Sequence, residues 1–239
     1  MNQNNTILLK ETLNCKIIKK ILYVEKGIIK ICYFTSINKT IHKTLTIVNK
    51  FVNMITGDKM LYFRNELDKN KYSTYQLNKT LKNKELFKID NGLYSNKKNV
   101  NPLEIILKKY PDAIFTSNSA HYYYDLTDVI PDYFYLATKR TGSRIKDKNI
   151  KQLFIPDELF EIGKTQTEIE NVKINIYDEE RILVELIRKK NTIPFDYYKE
   201  IINNYRKKID SLNIYKIQKY ISYYKNESSL YDTIMREVF

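Results

Sequence analysis

The chain has 239 residues, 43% of them hydrophobic and 29% charged, with only 5 Gly and 5 Pro. That composition supports a buried core and excludes collagen-like and flexible-linker chains. The formal net charge is +13, from 41 Lys and Arg against 28 Asp and Glu, so a polyanionic partner is expected.

The charge is unevenly placed. Residues 1–110 carry 21 basic and 8 acidic side chains, whereas residues 111–239 carry 20 of each. A compositional bias toward lysine would spread it along the whole chain. An excess confined to one half points to a polyanion partner for that half. Cys15 and Cys32 make no metal spacing and no disulfide framework, so a reducing cytoplasm is the expected compartment. The apolar run Ile7-Leu8-Leu9 is too short for a signal peptide. No stretch approaches the ~18 apolar residues of a membrane span, so no membrane partner is expected.

In chain order, residues 1–44 form an N-terminal extension without an assigned role. Ile17, Ile18, Ile21 and Leu22 have helical spacing, and residues 28–34 read as a strand. Leu45, Val48, Phe51, Val52 and Ile55 recur at three- and four-residue spacing, which predicts an amphipathic helix ended by Gly57-Asp58. Residues 61–67 read as a second helix. Ser73 is a good N-cap for a third helix over residues 74–84, with Leu77 and Leu81 inward. Leu86 to Ile89, Asp90-Asn91-Gly92 and Leu93-Tyr94 read as strand, tight turn, strand, with both turn positions expected at positive φ. Three short helices followed by a two-stranded wing describe a winged helix-turn-helix over residues 45–98.

Asn101-Pro102 opens a further helix that stops before Pro111, with a domain boundary inside residues 97–111. Residues 116–124 read as a helix, 133–138 and 150–155 as strands, and 164–176 as an extended hairpin. Asp178 starts a helix with Ile182, Leu183, Leu186 and Ile187 on one face. Amphipathic helices follow over residues 195–208, 214–224 and 230–238. The expected fold class is α+β: a winged helix-turn-helix, then an α+β domain over residues 99–239 that ends in a helical subdomain.

The chemistry follows from these placements. With Leu77 and Leu81 inward, Tyr75, Asn78, Lys79 and Lys82 turn outward at ~100° per residue. In a helix-turn-helix this face enters the major groove of double-stranded DNA, where amides and hydroxyls read base edges and lysines meet guanine or phosphate. Ser73, which opens that helix, is counted with the face. The wing adds Lys88, Asn91 and Tyr94, followed by Lys97 and Lys98. Lysines in such positions bind phosphate without reading sequence. A plain solvated helix beside a routine hairpin is the alternative.

No catalytic residue, metal or cofactor is expected. His42 stands in a basic stretch, and His121 precedes Tyr122-Tyr123-Tyr124 as a packed residue. Thr141-Gly142-Ser143-Arg144 lacks the phosphate-loop spacing. Asp178-Glu179-Glu180-Arg181 fits acids at a helix start, beside unpaired N–H groups. Two other functions stay open. One is a metal-dependent nucleic-acid enzyme that gathers Asp178, Glu180 or Asp132 on an ion. The other is a transcription factor with a sensor pocket in residues 111–180. The tyrosines of the last helices offer either core or a protein-binding face.

The order of these pieces over residues 45–225 resembles the AbiEi-type antitoxins of bacterial abortive-infection (type IV) toxin–antitoxin systems. The resemblance rests first on the basic hairpin closing with Gly92-Leu93-Tyr94. It continues through Ile114-Phe115-Thr116-Ser117-Asn118-Ser119-Ala120, then Leu126-Thr127-Asp128 and Ile130-Pro131. Its third part is Ile176-Tyr177-Asp178-Glu179-Glu180-Arg181-Ile182, continuing to Arg188. The chain departs from the family at Asp125, where Gly is usual, and at Glu185, where Asp is usual. The resemblance implies a non-enzymatic antitoxin. Its winged helix would repress its own promoter, and its second domain would counter a cognate nucleotidyltransferase-like toxin.

Overall fold

The computed structural model describes residues 21–25, 28–32, 61–69 and 73–239. The predicted helix over residues 45–55 and its Gly57-Asp58 stop lie outside the described residues. The chain divides into two units, residues 1–60 and 61–239. In the first, β1 (Ile21–Glu25) pairs antiparallel with β2 (Ile28–Cys32), with Glu25 opposite Ile28. The helical spacing read through Ile21 and Leu22 gives way to a strand. A ladder running the full length of both strands outweighs a short apolar periodicity.

The second unit is mixed α+β. Its first part opens on β3 (Leu61–Phe63), followed by α1 (Arg64–Lys69) and α2 (Thr74–Lys82). Then come β4 (Phe87–Asp90) and β5 (Leu93–Ser95). Residues 61–67, expected as helix throughout, start as a strand because Leu61, Tyr62 and Phe63 pair with Ser95, Tyr94 and Leu93. The sheet order is β3-β5-β4.

Next come α3 (Pro102–Lys109), β6 (Ile114–Phe115) and α4 (Ser117–Tyr123). The strands β7 (Phe134–Lys139), β8 (Ile150–Ile155), β9 (Lys164–Ile169) and β10 (Val172–Tyr177) follow, with the one-turn α5 (Asp157–Phe160) between β8 and β9. The chain closes on α6 (Glu179–Arg188), α7 (Phe195–Lys207), α8 (Ile214–Ile221) and α9 (Glu227–Glu237). The five-stranded sheet runs β8-β7-β6-β10-β9. Its β7·β8 and β6·β10 pairs are parallel, and the other two pairs are antiparallel. Among the described residues, no helix is long and apolar enough to cross a membrane.

Local chemistry explains the helix starts. Asn101 caps α3 by accepting the Leu103 N–H at 2.9 Å, with Pro102 in the first turn. Asp178 caps α6 by accepting the Arg181 N–H at 2.9 Å. Asn213 caps α8 through the Tyr215 and Lys216 N–H groups. The primed two-residue turn expected at Asn91-Gly92 is found instead between β9 and β10, where Glu170 and Asn171 hold φ of 51° and 62°.

Two cores meet on α6. Ile182 lies in the sheet core with Leu103, Phe115, Ile174 and Ile176. Leu183, Val184, Leu186 and Ile187 lie in the helical core with Tyr198, Ile201, Tyr205, Ile217 and Ile234. The helix therefore buries nearly its whole circumference, including Arg181 at 1% exposure. That guanidinium pairs with Glu185 Oε1 at 3.1 Å and lies 5.2 Å from the Tyr177 ring. Glu185 also accepts from the Tyr224 hydroxyl at 2.7 Å and from Arg188 at 3.0 Å. Burial opposes its charge, but Arg181, Lys189 and Arg188 outweigh burial and hold the carboxyl below the usual range. Truncating one partner of such a pair strands a buried charge, at about 3–5 kcal/mol.

Gly163 makes this packing possible. Its φ is +71°, its carbonyl accepts the Asp178 N–H at 2.7 Å, and an added Cβ would stand 2.8 Å from Arg181 Cβ. Gly163→Ala combines a left-handed penalty with overpacking and should cost about 2–5 kcal/mol. A denaturation midpoint equal to the parent's contradicts this.

A pH prediction comes from the same helix. His121 is buried beside it, with its Nδ1 at 3.3 Å from the Tyr197 hydroxyl. Burial, reinforced by Lys189, pushes its pKa from 6.5 down to about 3. The folded state thus binds fewer protons than the unfolded chain between those values, so stability falls as the medium is acidified below 6.5. Glu185, also depressed, adds a loss below its ordinary value of 4.5. In urea titrations across pH, His121→Gln should flatten the upper part of this decline and Glu185→Gln the lower. A parent whose stability is level from pH 6.5 to 4.5 refutes the His121 part.

Candidate nucleic-acid interface

The helix α2 is built by its N-terminus. The Ser73 hydroxyl accepts the Gln76 N–H at 3.2 Å, and Gln76 Oε1 accepts the Ser73 N–H at 2.9 Å, a reciprocal capping box. The helix stops at Lys82 rather than Lys84, because Lys84 takes a left-handed φ of 59° and ends it. Leu77 is buried, and Leu81, expected inward with it, is half-buried. The opposite face carries Tyr75 at 76% exposure with Asn78, Lys79 and Lys82, all open to solvent. The sequence-predicted reading face is therefore one polar surface on a capped helix.

Hydrogen bonds and an ion pair fix α1 against its neighbours. The Arg64 N–H donates to the Gly92 carbonyl at 2.9 Å, and its guanidinium reaches Asp68 at 3.0 Å and the Thr74 hydroxyl at 3.3 Å. At the wing tip the Asp90 carboxylate accepts the Asn91 N–H at 2.6 Å. Gly92 alone of the two central turn residues takes a positive φ, 73°, and the register shifts between Lys88 and Asp90. A turn with one left-handed glycine and a bulge replaces the expected primed turn.

Lys88, Asn91, Lys97 and Lys98 are exposed. Tyr94 is not on this surface: it is 9% exposed. The strand β5 lies in the middle of its sheet, and Leu93, Tyr94 and Ser95 are all buried there. The Ser73 hydroxyl is likewise engaged in the cap. The side chains left to meet a ligand are Tyr75, Asn78, Lys79, Lys82, Lys88, Asn91, Lys97 and Lys98.

A residue that sequence reasoning passed over joins the wing to the α+β domain. Lys109, in the last turn of α3, contacts Asp90 of the wing at 2.8 Å and Asp147 of the β7–β8 connection at 2.6 Å. Its ammonium holds both carboxyls below the usual range. Lys108 meets Glu66 at 2.9 Å and lies 5.0 Å from the Phe63 ring. Both lysines sit at a helix C-terminus, where cations are ordinary, so spacing gave no signal of the bridge.

The acids weighed as metal ligands have other partners. Asp178 caps α6 and accepts from the Tyr220 hydroxyl at 2.7 Å, and Lys216 stands 3.2 Å from Asp178 and 3.6 Å from Glu180. Asp132 is exposed. Among the described residues, no group of three or more His, Cys, Asp or Glu is gathered to hold an ion. A small cleft beside α6 is lined by Thr116, Ser117, His121, Glu185 and Lys189 and by Ile182, Leu186 and Ile193. It has room for little more than a water molecule, so this cleft is far smaller than the roughly 300–1,000 Å³ of a small-molecule site.

Neither a protein-family model nor a curated protein matches this chain.

Proposed function

We propose that the chain is a DNA-binding repressor and antitoxin of the AbiEi kind. In this reading residues 45–98 are a winged helix-turn-helix, and α2 lies in the major groove of promoter DNA. The observation that carries it is the succession β3, α1, α2, β4, β5, in which a capped helix offers Tyr75, Asn78, Lys79 and Lys82 to solvent beside a wing bearing Lys88 and Asn91. The Asn78 amide can pair with the N6/N7 edge of adenine, and Lys79 and Lys82 with guanine edges or phosphate. Lys88, Lys97 and Lys98 neutralise phosphate and set the register. Occupying the promoter blocks transcription of the operon. The α+β domain over residues 99–239 would counter a nucleotidyltransferase-like toxin without itself being an enzyme, and the chain would act in the cytoplasm.

The two roles of the DNA-binding part separate experimentally. Asn78→Ala should cost about 1–3 kcal/mol on the promoter and little on random duplex, whereas Lys88→Ala should weaken both alike. Equal losses for Asn78→Ala on both would show that α2 does not read bases.

The two activities separate as well. In cells that co-express a cognate nucleotidyltransferase-like toxin, the Asn78→Ala/Lys79→Ala variant should lose repression of a promoter reporter and keep protection from the toxin. Protection lost together with repression, at unchanged protein level, contradicts the division of labour.

A further inference from the structure

The second half of the chain is neutral as a whole, but its charge is not evenly spread. Residues 139–151 carry six basic side chains and one acid, Asp147, which leaves 14 basic against 19 acidic in the rest of residues 111–239. Arg140, Arg144, Lys146 and Lys148 are exposed, and no ion pair engages them among the described residues. The acid is paired from outside the loop, by Lys109 at 2.6 Å.

That same ammonium holds Asp90 of the wing at 2.8 Å, so the two carboxylates stand on either side of one cation. Lys146 and Lys148 are the chain neighbours of Asp147, about 3.8 Å away along the Cα trace. Asn91 is the neighbour of Asp90, and Lys88 is near enough for its charge to act on that carboxyl. The Lys109 bridge thus brings Asp147, flanked in the chain by two exposed lysines, near Asp90 at the tip of the wing.

We propose that residues 140–148 are a second phosphate-binding element, which continues the wing's track along the backbone of double-stranded DNA. The proposal rests on the reading of residues 45–98 as a DNA-binding domain and adds to it a contact from the α+β domain. Duplex DNA presents one negative charge per about 1.7 Å of its axis, so cations aligned beside the wing release counterions without reading sequence. The bridge also gives Lys109 a role. It offsets part of the negative charge of the two acids that would otherwise repel phosphate at this junction.

The test uses the full chain and two duplexes of about 30 base pairs, one of promoter and one of random sequence, with affinity measured across a salt series. Each phosphate contact contributes about 0.9 to the slope of log affinity against log salt. The Arg144→Ala/Lys146→Ala/Lys148→Ala variant should lose about 2–3 from that slope, equally on both duplexes. The single change Lys148→Ala, which removes one exposed side chain and no hydrogen bond, should lose about 0.9 and guards against misfolding of the triple variant. Slopes unchanged in both variants, while Lys88→Ala reduces its own, overturn the loop contact and leave the wing standing. A parent chain that binds neither duplex overturns both readings. Unchanged duplex binding with lost binding to single-stranded RNA also overturns the proposal and assigns the loop to another polyanion.

Discussion

The buried helix α6 is the constraint on which the α+β domain depends. One side of it closes the sheet core through Ile182, and the rest closes the helical core through Leu183, Val184, Leu186 and Ile187. A helix enclosed on nearly every side has no solvent face for its charges. Arg181 and Glu185 are therefore paired inside, with Tyr177, Tyr224 and Arg188 completing the surroundings. Gly163 is shaped by the same demand, because the backbone of the β9 entry must pass where a side chain would strike Arg181. The helices α7 and α8 are held to this wall by tyrosine hydroxyls as well as by apolar area: Tyr205 donates to the Glu179 carbonyl and Tyr220 to Asp178. The tyrosine-rich tail is thus largely core, with Tyr215 and Tyr223 left exposed.

A second and smaller constraint sets the surface. The wing does not stand alone beside the α+β domain. Lys108 and Lys109 close the last turn of α3 on Glu66, Asp90 and Asp147. Partly exposed ion pairs of this kind contribute modestly, roughly 0–1 kcal/mol each. Their value here is positional, since they decide which cations share a surface. Asp90 and Asp147 share one cation, and Arg140, Arg144, Lys146 and Lys148 nearby in the chain are left exposed.

Much of this is legible in the sequence. Ser73 and Asp178 announce their helices because an N-cap needs a short polar side chain and leaves a local trace. Residues 150–155 read as a strand, and β8 has those bounds, because a short run rich in Ile, Leu and Phe suits a partly buried strand. The departures share a physical cause. The strand β3 reads as helix in the sequence because its identity comes from pairing with β5, far along the chain. The two-residue strand β6 leaves no pattern for the same reason, being held between β7 and β10. The primed turn at Glu170-Asn171 carries no glycine, so turn chemistry points to Asn91-Gly92 instead. In the candidate interface, the outward face of α2 is predictable from helical period. The burial of Tyr94 and the Lys109 bridge are not, since both arise from which elements become neighbours.

The central claim is that a capped helix beside a basic wing reads promoter DNA. A footprint of the full chain on the DNA upstream of its own reading frame tests it most directly. The account predicts a bounded stretch in which guanine N7 atoms of the major groove are shielded from methylation, with protected sugars alongside, at concentrations that leave random DNA open. Uniform protection without a boundary, or none at all, would contradict it.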